Sequence, residues 1–331
     1  MGGVRALAPR PLAHARGKPA RPGRGDGPAQ RPRPLHAAQR GRLHLGRALR
    51  GDHRLLAGRA GPVLRPVRRQ ALPSPHLLRD PRGGAPPVSA GTDTRTAAAL
   101  ALGDDALILS HRLGEWAGHA PVLEEEVALA NIALDLLGQA RLLLSMAGDE
   151  DELAFLREER SFRNLQLVEQ PNGDFAHTIA RQLYFSFYQH ELYGELAAGD
   201  GPFAPLAAKA VKETAYHRDH AEQWTLRLGD GTEESRARMR AALDALWKFT
   251  GEMFLPVEGV GLDQAAMEAL EGRWLAALGG VLDRAGLTLP EGPRTGAWAA
   301  GAGRQGLHTE PFGRLLAEMQ HLHRSHPGAS W

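Results

Sequence analysis

The stretches NIALDLLGQAR at 131–141 and VKETAYHRDH at 211–220 decide the fold of this chain. Each is typical of a helix, on which residues three apart face the same way. Helical bundles that hold two metal ions use Glu-x-x-His at this spacing, because both side chains then reach the same ions. The corresponding pairs here are Leu136 with Gln139 and Thr214 with His217. The sequence therefore predicts a metal-binding scaffold that lacks most of its ligands.

The rest of the C-terminal two thirds also predicts helices. Apolar residues recur with helical spacing, and Gly, Pro and Asp residues mark where the helices begin and end. The predicted helices lie at 97–116, from Pro121 to Gly148, within 149–160, from Asp174 to Gly199, from Pro205 to Gly229, from Thr232 or Glu233 to before Pro256, at 263–285 and at 310–323. Alternation of period two, which is typical of strands, is absent. We therefore predict an all-α bundle over residues 96–331.

The N-terminal segment has a different composition. Residues 1–96 hold 20 Lys/Arg, 4 Asp/Glu and no aromatic residue, whereas 97–331 hold 20 basic and 34 acidic residues. Frequent Pro and Gly and few large apolar groups predict disorder over 1–90. A transit peptide, a nucleic-acid arm and a basic membrane tether are open interpretations. Upstream sequence translated ahead of a native start near Val88 is the favoured one.

Cysteine usage and hydropathy limit the remaining classes. The chain has no cysteine, which excludes disulfides, thiolate metal sites and a cysteine nucleophile and is compatible with the cytoplasm. No run of 18 apolar residues occurs, so we expect no membrane-spanning helix.

Four segments, taken in order, resemble a known family. They are LGEWAGHAPVLEEEVALANIALDLLGQARLLL (113–144), LVEQPNGDFAHTIARQ (167–182), KETAYHRDH (212–220) and GLHTEPFGRLLAEMQHL (306–322). They are similar to the C subunits of bacterial phenylacetyl-CoA epoxidase, or ring 1,2-phenylacetyl-CoA oxygenase. The resemblance implies a ferritin-like helical bundle that docks against a catalytic A subunit with a di-iron site. It also implies a reductase with flavin and an iron–sulfur cluster, which supplies electrons from NADPH for the O2-dependent epoxidation in aerobic phenylacetate degradation.

The resemblance also places the metal-site positions of the catalytic relative on this chain. They fall on or near His111 and on Leu136, Gln139, Thr214 and His217. The third-helix position is not fixed, although Ser186 lies in its region. Ferritin-like sites balance two ferrous ions with four carboxylates and two imidazoles, whereas Leu136 offers no donor atom. We therefore predict no catalytic residue and no cofactor in this chain, and di-iron in the partner.

Two interpretations of the neighbouring polar residues are open. Asp135, Glu213, His217 and His111 either form a buried hydrogen-bonded cluster or replace the missing ligands as an atypical site. A His-x-x-His pair such as His217 with His220 binds zinc or manganese when carboxylates support it. The first interpretation is favoured.

Other polar residues receive structural roles. We expect His190, Glu191 and Glu195 on a solvated or subunit-facing edge. His119 and Pro121 are expected to shape a turn, and Thr309 to cap the last helix. The tail histidines His308, His321, His323 and His326 are expected to serve packing or partner contact.

The sequence thus favours a non-catalytic structural subunit of an NADPH- and O2-dependent phenylacetyl-CoA monooxygenase. Such a subunit belongs to a hetero-oligomer, and self-association is left open. One alternative is a free-standing metal-dependent oxidoreductase with the atypical site. The other, a nucleic-acid-binding protein acting through the basic arm, is less favoured, because the bundle itself is acidic.

Overall fold

The computed structural model describes residues 93–297 and 299–329, which contain eight α-helices and no strand. The helices are α1 Thr94–Gly114, α2 Leu123–Leu144, α3 Glu150–Phe155, α4 Phe175–Ala198, α5 Ala204–Gly229, α6 Glu233–Trp247, α7 Gln264–Arg284 and α8 Glu310–Ser325. The expected all-α, ferritin-like bundle is confirmed. The extension predicted over 1–90 and the start proposed at Val88 lie outside the described residues.

Helix α4 occupies the centre of the bundle. It packs along α5 and also contacts α6 and α7, while α1 packs along α2 and α2 reaches α5. Tyr184 of α4 lies against Trp247 and Trp274, whose rings stack with centroids 5.9 Å apart. Such aromatic groups bury large apolar areas, and they fix α6 and α7 on one side of α4.

Four of the helices have an aspartate as their N-cap residue. Asp93, Asp149, Asp174 and Asp263 each accept a hydrogen bond from a backbone N–H at the start of α1, α3, α4 and α7. The cap expected at Asp174 is confirmed, because its Oδ1 accepts from the backbone nitrogen of His177 at 2.8 Å. Each cap satisfies a donor that has no partner within its helix, a contribution of about 1 kcal/mol.

The boundaries of α2 differ from those expected. Pro121 lies before the helix, because Val122 is extended (φ −147°, ψ 157°) and the helix begins only at Leu123. At the other end α2 stops at Leu144, and a turn closed by the bond from the Gly148 nitrogen to the Leu144 oxygen follows. The β-branched Val122 favours this extended backbone, which lengthens the preceding turn.

By length and composition alone, α2 is apolar enough to cross a membrane. The apolar core helix of a bundle has the same composition, and α2 packs here against α1 and α5. The composition of α2 is therefore weak evidence for a membrane span.

A fully buried carboxylate ties the segment before α4 to the start of α8. Glu169 accepts hydrogen bonds from Thr309 N at 2.6 Å, Thr309 Oγ1 at 2.7 Å and Asn164 Nδ2 at 2.9 Å. It also lies 2.8 Å from Nδ1 of His308, whose Nε2 is 3.2 Å from the Phe162 carbonyl oxygen. Both ring nitrogens of His308 thus face hydrogen-bond acceptors. Thr309 does occupy the N-cap position of α8, but its hydroxyl bonds Glu169 and makes no cap bond.

Candidate functional site

Helices α2 and α5 face each other through three hydrogen-bonded pairs. The pairs are Asp135 with His217 at 3.0 Å, Gln139 with Glu213 at 2.9 Å and Glu125 with His220 at 2.8 Å. We call these six residues the α2–α5 cluster. As the residue numbers of these pairs increase along α2, those of their partners on α5 decrease, so the two helices run antiparallel. This cluster occupies the place that the sequence motifs assign to metal ligands.

The spacing of the motifs explains how these side chains meet. Asp135 and Gln139 are four residues apart on α2, as are Glu213 and His217 on α5, so each pair lies on one helix face in successive turns. His217 is 2 % exposed, whereas the side chain of Asp135 is 42 % exposed. The cluster therefore extends from the bundle interior to its surface.

Leu136 and Thr214, at the positions where the resemblance implies carboxylates, are both buried. Leu136 is 1 % exposed and belongs to the apolar core. The Thr214 hydroxyl donates to the Val211 carbonyl oxygen at 3.2 Å and lies 3.2 Å from Nδ1 of His190. Neither side chain offers a carboxylate to the centre of the bundle.

Helix α4 adds a residue that sequence reasoning missed. Nε2 of Gln189 donates to Oε1 of Gln139 at 3.1 Å and lies 3.4 Å from the hydroxyl of Tyr193. Ser186, one turn earlier, is buried, and its hydroxyl has no hydrogen-bond partner among the described residues. A polar Gln within the aromatic run YFSFYQHELY was the signal available in the sequence.

Burial governs the charge of the central histidine. It lowers the pKa of His217 below the usual value, and the hydrogen bond to Asp135 opposes this shift. The neutral ring is thus favoured, and Nε2–H donates to the Asp135 carboxylate. The hydrogen bond between His217 and Asp135 therefore links α5 to α2.

His111 does not join the α2–α5 cluster. It is half-buried on the other side of α2, and its pKa is lowered by burial, which Glu115 and Glu318 oppose. The four-residue arrangement of His111 with Asp135, Glu213 and His217 is therefore not brought together. The rotation of α1 about its axis, which sequence does not specify, turns His111 toward α8.

The residues at the predicted ligand positions do not fit a pair of iron ions. Leu136 has no atom that can bind a metal. The side-chain atoms of Gln139, Glu213 and His217 that could do so already take part in hydrogen bonds within the chain. His217 and its neighbour His220 reach different carboxylates instead of converging. Across 93–297 and 299–329, no three His, Asp or Glu side chains are grouped so that they can hold a metal ion.

The acidic residues near the end of α4 make contacts within the chain. Arg273 of α7 donates to Glu191 at 2.9 Å and also bonds Glu195. His190 contacts Thr214 on α5. The side chains of Glu191 and Glu195 are 23 % and 41 % exposed, so they lie on a partly solvated edge where α7 supplies their counter-ion. Contact of this edge with a partner subunit stays a prediction.

The remaining histidines lie apart from the cluster. Nδ1 of His119 is 3.0 Å from the Ala117 carbonyl oxygen in the turn before α2. His323 stacks on Phe155 of α3 with ring centroids 4.8 Å apart, while His321 is exposed. His326, which follows α8, is exposed as well. The tail histidines for which contacts are described thus pack against the chain itself.

A groove with a volume of about 690 Å³ lies between α1, α2, α3 and α8. Its lining is mainly apolar and includes Ala130, Leu134 and Leu137 of α2 and Met319 of α8. His111 lines it from α1. The groove is thus on the face of α2 away from the α2–α5 cluster.

Comparison with known proteins agrees with this fold. A family model described as phenylacetic acid catabolic protein matches residues 86–331. The chain is also similar to the C subunit of 1,2-phenylacetyl-CoA epoxidase from Escherichia coli (strain K12). The two are 47 % identical over 253 residues, which cover 71 % of this chain and 98 % of that protein. The resemblance found in the four sequence segments is thereby confirmed, and this chain belongs to the phenylacetic acid catabolic protein family.

Proposed function

We propose that this chain is a non-catalytic structural subunit of a multicomponent phenylacetyl-CoA 1,2-epoxidase. In this role it docks against the di-iron catalytic A subunit, and the complex acts in the cytoplasm in aerobic phenylacetate degradation. The relative from Escherichia coli is named as the C subunit of that epoxidase, which supports membership in a hetero-oligomer.

The observation that carries the proposal is the α2–α5 cluster. Where a catalytic bundle needs carboxylates and imidazoles open to metal, this chain has Leu136 and two hydrogen-bonded pairs, Gln139 with Glu213 and Asp135 with His217. These bonds join α2 to α5 directly. The bundle therefore keeps the position of its helices without ions to bridge them.

The role that remains is to support the partner. Hydrogen bonds between α2 and α5 limit the movement of one helix against the other, so α2 keeps a fixed position for contacts outside the chain. The catalytic subunit would supply the iron and the reductase the electrons. This chain would hold the catalytic bundle in place.

Metal content and turnover test the proposal. The full chain and the catalytic A subunit are to be purified separately and together, and iron is to be counted by mass spectrometry. We expect sub-stoichiometric iron in this chain and iron in the A subunit. Epoxidation of phenylacetyl-CoA is expected only when the A subunit, this chain and the reductase are combined with NADPH and O2.

The opposite results are equally clear. Two irons per chain in the separated protein, or turnover by this chain without the A subunit, would refute the non-catalytic role. A His217→Ala variant that folds and still supports the turnover of the complex is the matched control for chemistry at the α2–α5 cluster.

A further inference from the structure

The outer face of α2 carries a line of exposed apolar side chains, which we call the α2 seam. Its members are Leu123, Val127, Ala130, Leu134 and Leu137. Four of them are large, and their exposed fractions are 70 % for Leu123, 53 % for Val127, 63 % for Leu134 and 38 % for Leu137. Steps of four and three residues alternate along the seam, as they do where one helix packs lengthwise on another. The seam thus has the pattern of a helix–helix contact.

A groove lies beside the seam, so the surface around α2 is concave and not flat. Ala130, Leu134 and Leu137 line both the seam and the groove, and Phe155 of α3 and Met319 of α8 lie across from them. Side chains from a second helix have room to enter the groove of about 690 Å³ while that helix lies on the seam. Exposed apolar patches of this kind mark interaction sites on soluble proteins.

The charge around this surface indicates what covers it. Glu124, Glu126 and Glu318 lie beside the seam and the groove, whereas Glu115, which also lines the groove, is paired with Arg112 at 2.8 Å. Arg141 at the far end of the seam is already bound to Glu150, with two of its nitrogens 3.0 and 2.6 Å from Oε1. A second copy would bring the same carboxylates to the interface, and anionic lipids would also be repelled. The charge favours a basic partner.

We propose that the α2 seam is the docking surface for one helix of a partner subunit. That helix has apolar side chains at the same alternating spacing and lysines or arginines beside them. The inference rests on the proposed function, because the catalytic A subunit is the partner that the epoxidase complex supplies.

A single exposed leucine provides the test. The full chain with Leu134→Glu and the wild type are each titrated with the purified A subunit, and the dissociation constant is measured by calorimetry. We expect the variant to bind at least about tenfold more weakly, because binding would bury its carboxylate among the apolar side chains at the centre of the contact. The matched control is Tyr216→Glu on α5, since Tyr216 is 77 % exposed and outside the groove, and it should bind within about twofold of the wild type.

Charge is tested separately from apolar contact. With Glu126→Lys we expect weaker binding and a smaller dependence of the affinity on salt, because one attraction to the basic partner is lost. Far-UV circular dichroism checks that each variant is folded. If Leu134→Glu does not fold, Val127→Glu at the next exposed turn replaces it.

The outcomes separate the two proposals. Wild-type affinity of folded Leu134→Glu for the A subunit overturns the seam and leaves the proposed function standing, whereas a wild-type chain that does not bind the A subunit contradicts both. A wild-type dimer that Leu134→Glu converts to monomer assigns the seam to a second copy and overturns the partner helix. Stronger binding by Glu126→Lys, or sedimentation of the wild type with phosphatidylglycerol vesicles, overturns the basic partner.

Discussion

Replacing Leu136 by Glu would restore a carboxylate at a predicted ligand position, and we expect this change to destabilise the chain severely. Leu136 is 1 % exposed, so the substitution forfeits about 1.5–3 kcal/mol of apolar burial. The new carboxyl would lie near Gln139, whose amide is already bonded to Glu213 and Gln189. It would therefore lack a ready partner in the core.

The carboxyl group adds a second penalty. At pH 7 it either remains ionised without a partner or takes up a proton, and raising a Glu pKa from about 4.3 to about 7 costs roughly 3.7 kcal/mol. Together the two penalties should lower the free energy of unfolding of Leu136→Glu by roughly 5–7 kcal/mol, which is comparable to the whole stability of many domains. The carboxyl pKa is raised in the folded state, so the loss should shrink as the pH falls towards 4, where the unfolded chain is protonated as well.

Urea unfolding followed by circular dichroism measures this loss. The control is Leu134→Glu, the same substitution two residues away on the exposed seam, where Leu134 is 63 % exposed and we expect a change within about 0.5 kcal/mol. The two variants thus separate stability from binding. A Leu136→Glu protein within about 1 kcal/mol of the wild type, or one purified with two irons per chain, would refute the reasoning.

Three further predictions concern the buried polar groups. Glu169→Gln should lower the free energy of unfolding by about 3–5 kcal/mol in urea titrations, because it leaves buried donors without their charged acceptor, whereas Glu158→Gln, with a side chain 80 % exposed, should change it by less than about 1 kcal/mol. Gln139→Ala should cost about 1–3 kcal/mol by the same measurement, since the buried Gln189 and the partly buried Glu213 each lose a hydrogen-bond partner, and an unchanged midpoint would contradict the role of the cluster. Because burial lowers the pKa of His217, the unfolded chain takes up its proton first, so the stability that the neutral ring provides is complete above about pH 6.5 and declines below it. His217→Gln should therefore lose more stability relative to the wild type at pH 7.5 than at pH 5.5. An equal loss at both pH values would show that the hydrogen bond to Asp135, and not burial, determines the charge of His217.

Local signals in the sequence were sufficient for most of the helices. Asp174 begins α4 and Gly229 ends α5 as expected, because capping and chain termination depend on neighbouring residues. The bounds of α2 were less accurate at both ends, since the extended backbone at Val122 and the turn after Leu144 depend on small differences in local conformation.

The site was predictable in part. The prediction that Leu136 and Thr214 replace metal ligands rests on their residue types and on the resemblance of the motifs, and it stays a prediction. Sequence did not show that His217 and His220, three residues apart, reach different carboxylates, because this depends on the rotation of α2 against α5. The same kind of rotation separates His111 from the cluster.

The bonds of Glu169 have a consequence for how the protein is made. Its carboxylate is satisfied by groups at His308 and Thr309, close to the end of the chain, whereas α2 is synthesised much earlier. At typical ribosomal speeds, on the order of ten seconds separates the emergence of α2 from that of residue 308. During that interval the nascent chain exposes the leucine-rich helix α2, while the segment at 308–309 that bonds Glu169 has yet to be translated. Early binding of another chain to α2 would then protect it from misassembly.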